Sequence, residues 1–281
     1  MGGSCASGAC QIVSAFAYSA QGVGDELSRA FAFLHGAAPI FFPLLAGLIG
    51  ACIAHSIGRA VERWPKVNGW KAEDGGALLQ PPPYLRMARA AGGVVVPIIS
   101  WLPYSSGGAI SRWAYPAVEM TFALVWAGAI AWTGPTLSTW VLLAAFSLAF
   151  FCAWLDLVCH EIPDSLTVPL AFLGLLFSPV EPDAINRIWG ALFCGAAVLG
   201  AFKLVASAKQ VDGVSLGDVA FLGAAGAWVG ICGSFTLILA SVVSYIAYAG
   251  PLRRSGVLWA PMGPALAVGF VFAVLSGVRL V

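Results

Sequence analysis

The chain has 281 residues, of which 60% are apolar and only 10% charged, and its mean hydropathy is +0.89. Those values exclude a water-soluble domain and place the chain in a bilayer. A net charge of +1 argues against nucleic acid as a partner, leaving membrane lipid as the surrounding phase.

Met1 to Gly36 has no basic start ahead of an apolar core and is rich in Gly, Ala and Ser, so residues 1–37 read as an N-terminal tail. The first membrane run is about Ala38 to Ile57, giving a first transmembrane helix over 38–58. A polar stretch follows, 59–114, with Arg59, Arg63, Lys66, Lys71, Arg86 and Arg89 and the triplet Pro81, Pro82 and Pro83. It reads as a cytoplasmic loop subdomain, within which the apolar segment Val94 to Leu102 is too short to span.

The remainder, 115–281, reads as a membrane core. Its runs cover roughly Pro116 to Trp132, Trp140 to Val158, Leu166 to Phe177, Ile188 to Val205, Val219 to Ile231, Phe235 to Ala249 and Val257 to Leu275. Lipid leaves unpaired backbone groups without partners, and the alternating pattern of a β-barrel is missing, so each run must be helical. The fold class is therefore an all-α polytopic membrane protein of about eight transmembrane helices. Two short runs, 166–177 and 219–231, keep six or seven open. Threading eight places 11 of the 14 Lys and Arg on one side, which the positive-inside rule makes cytoplasmic.

The seven cysteines contain no CxxC pair and mostly sit in apolar runs, as structural residues do. Two aspartates stand out. Asp156 ends the run Phe151-Cys-Ala-Trp-Leu-Asp-Leu-Val-Cys159, and Asp218 opens another in Ser215-Leu-Gly-Asp-Val219. Both fall on the cytoplasmic side of the threading, and ionisable groups at membrane depth usually mark a site. Brought within a few ångström, two carboxyls share one proton, so that one is a base and the other an acid. Such a pair suits aspartic peptide hydrolysis, while ion-binding carboxylates in a transporter are the competing reading. Taken singly, Asp218 serves equally well as a charge at a helix N-terminus, whereas Asp156 sits at the unfavourable end of its own helix dipole. Asp164, in Ile162-Pro-Asp-Ser-Leu-Thr-Val-Pro169, reads as a helix cap. Glu119 is a candidate for holding a substrate amine or serving methylation, with pairing to Arg112 the favoured alternative. His55 and His160 read as structural.

The segment Asp156 to Leu170, with Pro163 and Asp164, resembles the first aspartate motif of the type IV prepilin peptidases. Gly213 to Gly230, with Gly217 and Asp218, resembles their second, the GxGD motif. Ala260-Pro-Met-Gly-Pro-Ala-Leu266, with Pro261, Gly263 and Pro264, is similar to the segment opening their last helix. Weaker echoes at Gly47 to Arg59, Val96 to Leu102 and Tyr115 to Glu119 extend the resemblance over about 43–269. It implies a bacterial inner-membrane aspartic endopeptidase with Asp156 and Asp218 as catalytic pair. Prepilins of a type IV pilus or pseudopilins of type II secretion would be cut after the Gly that ends a basic leader. A presenilin-like GxGD peptidase acting on other membrane substrates is the neighbouring alternative, suggested by Pro264-Ala-Leu266.

Two departures matter. Ser215 replaces the first Gly of GxGD, removing a backbone freedom that Gly supplies, and Ala220 stands where the family usually has Lys. Members that also methylate the new N-terminus with S-adenosylmethionine carry two Cys pairs in the first cytoplasmic loop, but Tyr84 to Gly108 contains no Cys. The expectation is no zinc, no cofactor for the peptidase, and S-adenosylmethionine only if methylation is retained.

Overall fold

A computed structural model describes residues 39–67, 111–209, 215–254 and 260–277, with isolated positions 26, 29, 30, 33 and 36. The loop segment Val94 to Leu102 lies outside the described residues. The main elements are α1 (Phe41–Val67), α2 (Ser111–Thr133), α3 (Leu137–Cys159), α4 (Asp164–Phe177), α5 (Ala184–Lys209), α6 (Leu216–Arg254) and α7 (Gly263–Gly277). Four stretches, Phe41–Val61, Leu137–Leu157, Ala184–Ala208 and Leu216–Gly250, are long and apolar enough to cross a bilayer, and three shorter apolar helices accompany them. Leu124, Phe172, Trp189, Phe235, Leu239 and Phe272 are exposed on these helices, as lipid-facing side chains are. The protein is an all-α, multi-pass membrane protein.

Boundaries differ from the apolar runs where polar residues are compatible with helix. α1 continues to Val67, past Arg59 and Arg63, because Arg, Ala and Glu are good helix formers, and Pro65, which lacks an N–H, falls only in the last turn. Conversely, α7 begins at Gly263 rather than near 257. Pro264 occupies its second position, where a missing N–H costs nothing.

The chain divides into two compact units, one of Trp140–Leu157 and Glu161–Val281, the other of Ser28–Thr139 and Val158–His160. In the second, α2 packs on α1 through small residues: a Cβ on Gly50 would lie 2.8 Å from the Phe122 carbonyl oxygen and from Trp126 Cγ. Between these helices Glu119 Oε1 meets His55 Nδ1 at 2.8 Å, both side chains buried. Glu119 therefore has a histidine partner, while the Arg112 side chain lies outside the described ones.

In the larger unit the span Leu216–Gly250 has 35 residues, about 52 Å of helix against roughly 30 Å of hydrocarbon. The excess is resolved at Gly230, whose φ of 65° and ψ of −174° interrupt α6. A continuous helix would hold Asp218 and Tyr248 about 45 Å apart, yet they interact electrostatically. The chain therefore turns back at Gly230, and 216–229 and 231–254 form two separate rods. Three backbone groups at the break have side-chain partners. Ser178 Oγ donates to the Trp228 carbonyl at 2.5 Å, Ser234 Oγ to the Gly230 carbonyl at 2.7 Å, and the Ile231 N–H to Asn186 Oδ1 at 3.3 Å. At this end Arg187, 1% exposed, donates to the carbonyls of Leu175, Ser178, Glu181 and Pro182, neutralising the C-terminal end of α4. Close approach of α5 to 216–229 depends on glycine, since a Cβ on Gly190 would fall 2.5 Å from the Gly226 carbonyl oxygen. Trp228 Nε1 donates to the Leu170 carbonyl of α4 at 2.9 Å, and its ring meets Phe270 of α7 edge-on at 6.0 Å. These contacts fix the far end of the unit and leave the N-terminus of α6 for the site.

Candidate active site

Asp156 lies in the last turn of α3 and Asp218 in the first turn of α6, each 6% exposed. The dipole of its own helix disfavours a carboxylate at Asp156, and another helix offsets this. The first N–H of α7, that of Gly263, donates to Asp156 Oδ2 at 2.5 Å, bringing the positive end of α7 onto the acid. Glycine is required there because a Cβ would sit 2.7 Å from Asp156 Cβ and 2.9 Å from Oδ2. Gly263 thus connects the third motif directly to the first.

The second motif is tied to the first in a similar way. A Cβ at Gly217 would come within 2.9 Å of the Ile162 carbonyl oxygen and 3.0 Å of Ile162 Cβ. The first turn of α6 therefore rests on the Ile162–Pro163 segment, where both residues are buried and Pro163 stands in extended conformation ahead of α4. Asp156 and Asp218 lie close enough to interact electrostatically. Asp218 Oδ1 is buried without a hydrogen-bond partner.

Two sequence readings change. Asp164 is the first residue of α4 rather than its cap: Pro163 occupies the cap position, no side chain makes a cap bond, and Asp164 is exposed. Its contribution is a charge in the first turn. Ser215 replaces glycine without strain, because among the described residues His160 is the non-glycine with positive φ. Ser215 instead opens α6, accepting the Asp218 N–H on Oγ at 3.4 Å, as N-cap serines do.

Of the other candidates, Pro261 is buried immediately before α7 and Pro264 is half-buried in its first turn. Glu119 belongs with His55 in the smaller unit. The described cysteines 52, 152, 194 and 232 are free thiols, and among the described residues no three His, Cys, Asp or Glu side chains form a metal-binding group. Sequence reasoning missed Tyr248, whose hydroxyl oxygen is buried without a hydrogen-bond partner and interacts electrostatically with both aspartates. Its signal was a second tyrosine one helical turn after Tyr245 in an otherwise apolar run.

A family model described as the type IV leader peptidase family matches residues 142–250, a stretch containing Asp156 and Asp218. A prepilin leader peptidase/N-methyltransferase of Pseudomonas aeruginosa is 30% identical, the match covering 85% of this chain and 92% of the relative. The chain belongs to the type IV leader peptidase family. Within it, a Burkholderia pseudomallei protein of the same description is 34% identical over 55% of this chain and 52% of its own. An Aeromonas hydrophila relative is 28% identical over 90% and 94%. The chain thus spans about half the length of the first of these Burkholderia relatives and nearly all of the other two. No solved structure matches it.

Proposed function

We propose that the protein is a membrane aspartic endopeptidase that cuts the leader from type IV prepilins or type II secretion pseudopilins after a Gly. It would work in the bacterial inner membrane with its site facing the cytoplasm. The observation that carries the reading is the pair of buried aspartates from separate helix ends, one of them held by the Gly263 N–H. The relatives named prepilin leader peptidase/N-methyltransferase support the substrate class.

In this mechanism the two carboxyls share one proton. The ionised one takes a proton from water as its oxygen adds to the scissile carbonyl carbon, while the protonated one gives its proton to the carbonyl oxygen. On collapse of the gem-diol the C–N bond breaks as the leaving nitrogen takes the proton that water gave to the first carboxyl, one diol hydroxyl gives its proton back to the second as the C=O re-forms, and the starting state returns. Burial excludes bulk water from competing with these transfers. Substrate would present a basic leader in the cytoplasm and an apolar helix in the bilayer, as a site at the ends of membrane helices requires.

Cleavage by this route needs no metal or cofactor. The four-thiolate zinc site of bifunctional members does not fit this chain, because residues 84–108 supply no Cys and the described cysteines are not grouped. N-methylation of the new N-terminus by S-adenosylmethionine would therefore have to proceed without such a site. Mass spectrometry of a prepilin co-expressed with the protein tests both activities. A product beginning after the leader Gly supports cleavage, and an unprocessed prepilin at high enzyme level contradicts it.

A further inference from the structure

Among the described residues, Asp218 Oδ1, an acceptor, and the Tyr248 hydroxyl are both buried without a hydrogen-bond partner and lie within electrostatic reach of each other. Leaving such groups unpaired costs roughly 1–3 kcal/mol each, so a native site that keeps two together is prepared for something that satisfies both. Tyr248 is placed by its surroundings. Its ring stands edge-on to Tyr245 at 5.9 Å, and the Tyr245 hydroxyl donates to the Ala260 carbonyl at 3.4 Å. Ala260 lies three residues before Gly263, which holds Asp156. The tyrosine pair therefore ties 231–254 to the N-terminus of α7 beside the dyad. Although Tyr248 sits within electrostatic reach of both aspartates, it is bonded to neither.

As water adds, negative charge builds on the scissile carbonyl oxygen in the transition state, before the dyad proton has fully crossed to it. The protonated member of the dyad supplies one hydrogen bond to it, and a preorganised second donor stabilises it further because that donor has no reorganisation to undergo. We propose that Tyr248 is that second donor, a catalytic residue whose hydroxyl bonds the scissile carbonyl oxygen as negative charge builds on it in the transition state. This rests on the peptidase reading of the dyad. A phenol suits the position: it donates one bond, stays protonated at neutral pH, and its apolar ring is at home in the bilayer.

The test is Tyr248→Phe, which keeps the ring and removes the donor, assayed on detergent-purified protein and prepilin with Tyr245→Phe alongside. The expected result is a kcat lowered by on the order of 10²–10³ with KM nearly unchanged. The melting temperature of Tyr248→Phe should be equal or higher, since an unpaired buried hydroxyl has been deleted. Tyr245→Phe should lose much less. Wild-type protein that cuts while Tyr248→Phe retains the wild-type kcat overturns this inference and leaves the peptidase reading standing. So does a lowered melting temperature with unchanged kcat per folded molecule, or an equal loss in Tyr245→Phe, either of which assigns the hydroxyl to packing. Wild-type protein that cuts no prepilin overturns the peptidase reading, and this inference with it.

Discussion

Gly263→Ala is the most informative single change near the dyad, because its effect follows from the clearances around that residue. The new methyl carbon would lie 2.7 Å from Asp156 Cβ and 2.9 Å from Oδ2, whereas carbon atoms in contact settle at about 3.5–4.0 Å. Either the start of α7 or the Asp156 side chain must therefore move by about 1 Å, and a misplacement of that size at a reacting group costs on the order of 10²-fold. Two terms compete in stability. Alanine is the better helix former by up to about 1 kcal/mol, while overpacking a filled site costs about 1–3 kcal/mol. The clash falls on Cβ, Cγ and Oδ2 of the buried Asp156, whose carboxylate is held at 2.5 Å, so overpacking wins and the variant should be modestly destabilised. Steady-state prepilin cleavage at matched folded enzyme, with melting in detergent, measures both. A Gly263→Ala enzyme with wild-type kcat would refute the claim that the Gly263 N–H positions Asp156.

Gly217→Ala should also lower kcat, because its Cβ would press on the Ile162 carbonyl oxygen at 2.9 Å and lift the first turn of α6; full activity would separate that contact from the site. Gly230→Ala should cost at least about 1–2 kcal/mol through its positive φ alone, with further loss from a Cβ 2.7 Å from Glu181 Oε2. Yet kcat per folded molecule should hold, since the break lies at the far end of the unit, and a selective loss of kcat would contradict that. Asp164→Asn should cleave normally, and Asp164→Ala should lose only about 0.3–1 kcal/mol of stability, the value of a first-turn charge; an inactive Asp164→Asn would move the first acid eight positions along the chain. Peptidase activity should survive a strong chelator, and elemental analysis finding one tightly held zinc per chain would show that donors outside 84–108 build a site.

Much of the fold could be read from hydropathy because lipid imposes one rule, a satisfied backbone, on every apolar run. The apolar runs at 219–231 and 235–249 correspond to two separate rods because α6 breaks at Gly230. Their partners at the break, Ser178, Asn186 and Ser234, carry no periodic signal and are set by tertiary contact. At the site, charge within apolar runs was enough to single out Asp156 and Asp218. What made Asp156 tolerable at a helix C-terminus was not legible, because the compensating N–H comes from Gly263, 107 residues away. Ser215 looked like a loss beside the family's Gly but caps α6, and Asp164 looked like a cap but lies one position inside α4. Single-residue shifts at helix ends are beyond what pattern alone resolves. The pairing of Glu119 with His55 needed the crossing of α1 and α2, which no local spacing encodes.

The central claim is that Asp156 and Asp218 act as one catalytic pair. It is tested most directly by the ratio of processed to unprocessed prepilin produced by wild type, Asp156→Asn and Asp218→Asn at equal membrane levels. An amide can neither take the proton of water nor share the proton the pair requires. Each single change should therefore abolish processing almost completely while leaving insertion and melting temperature intact. Substantial processing by either Asn variant would contradict the account.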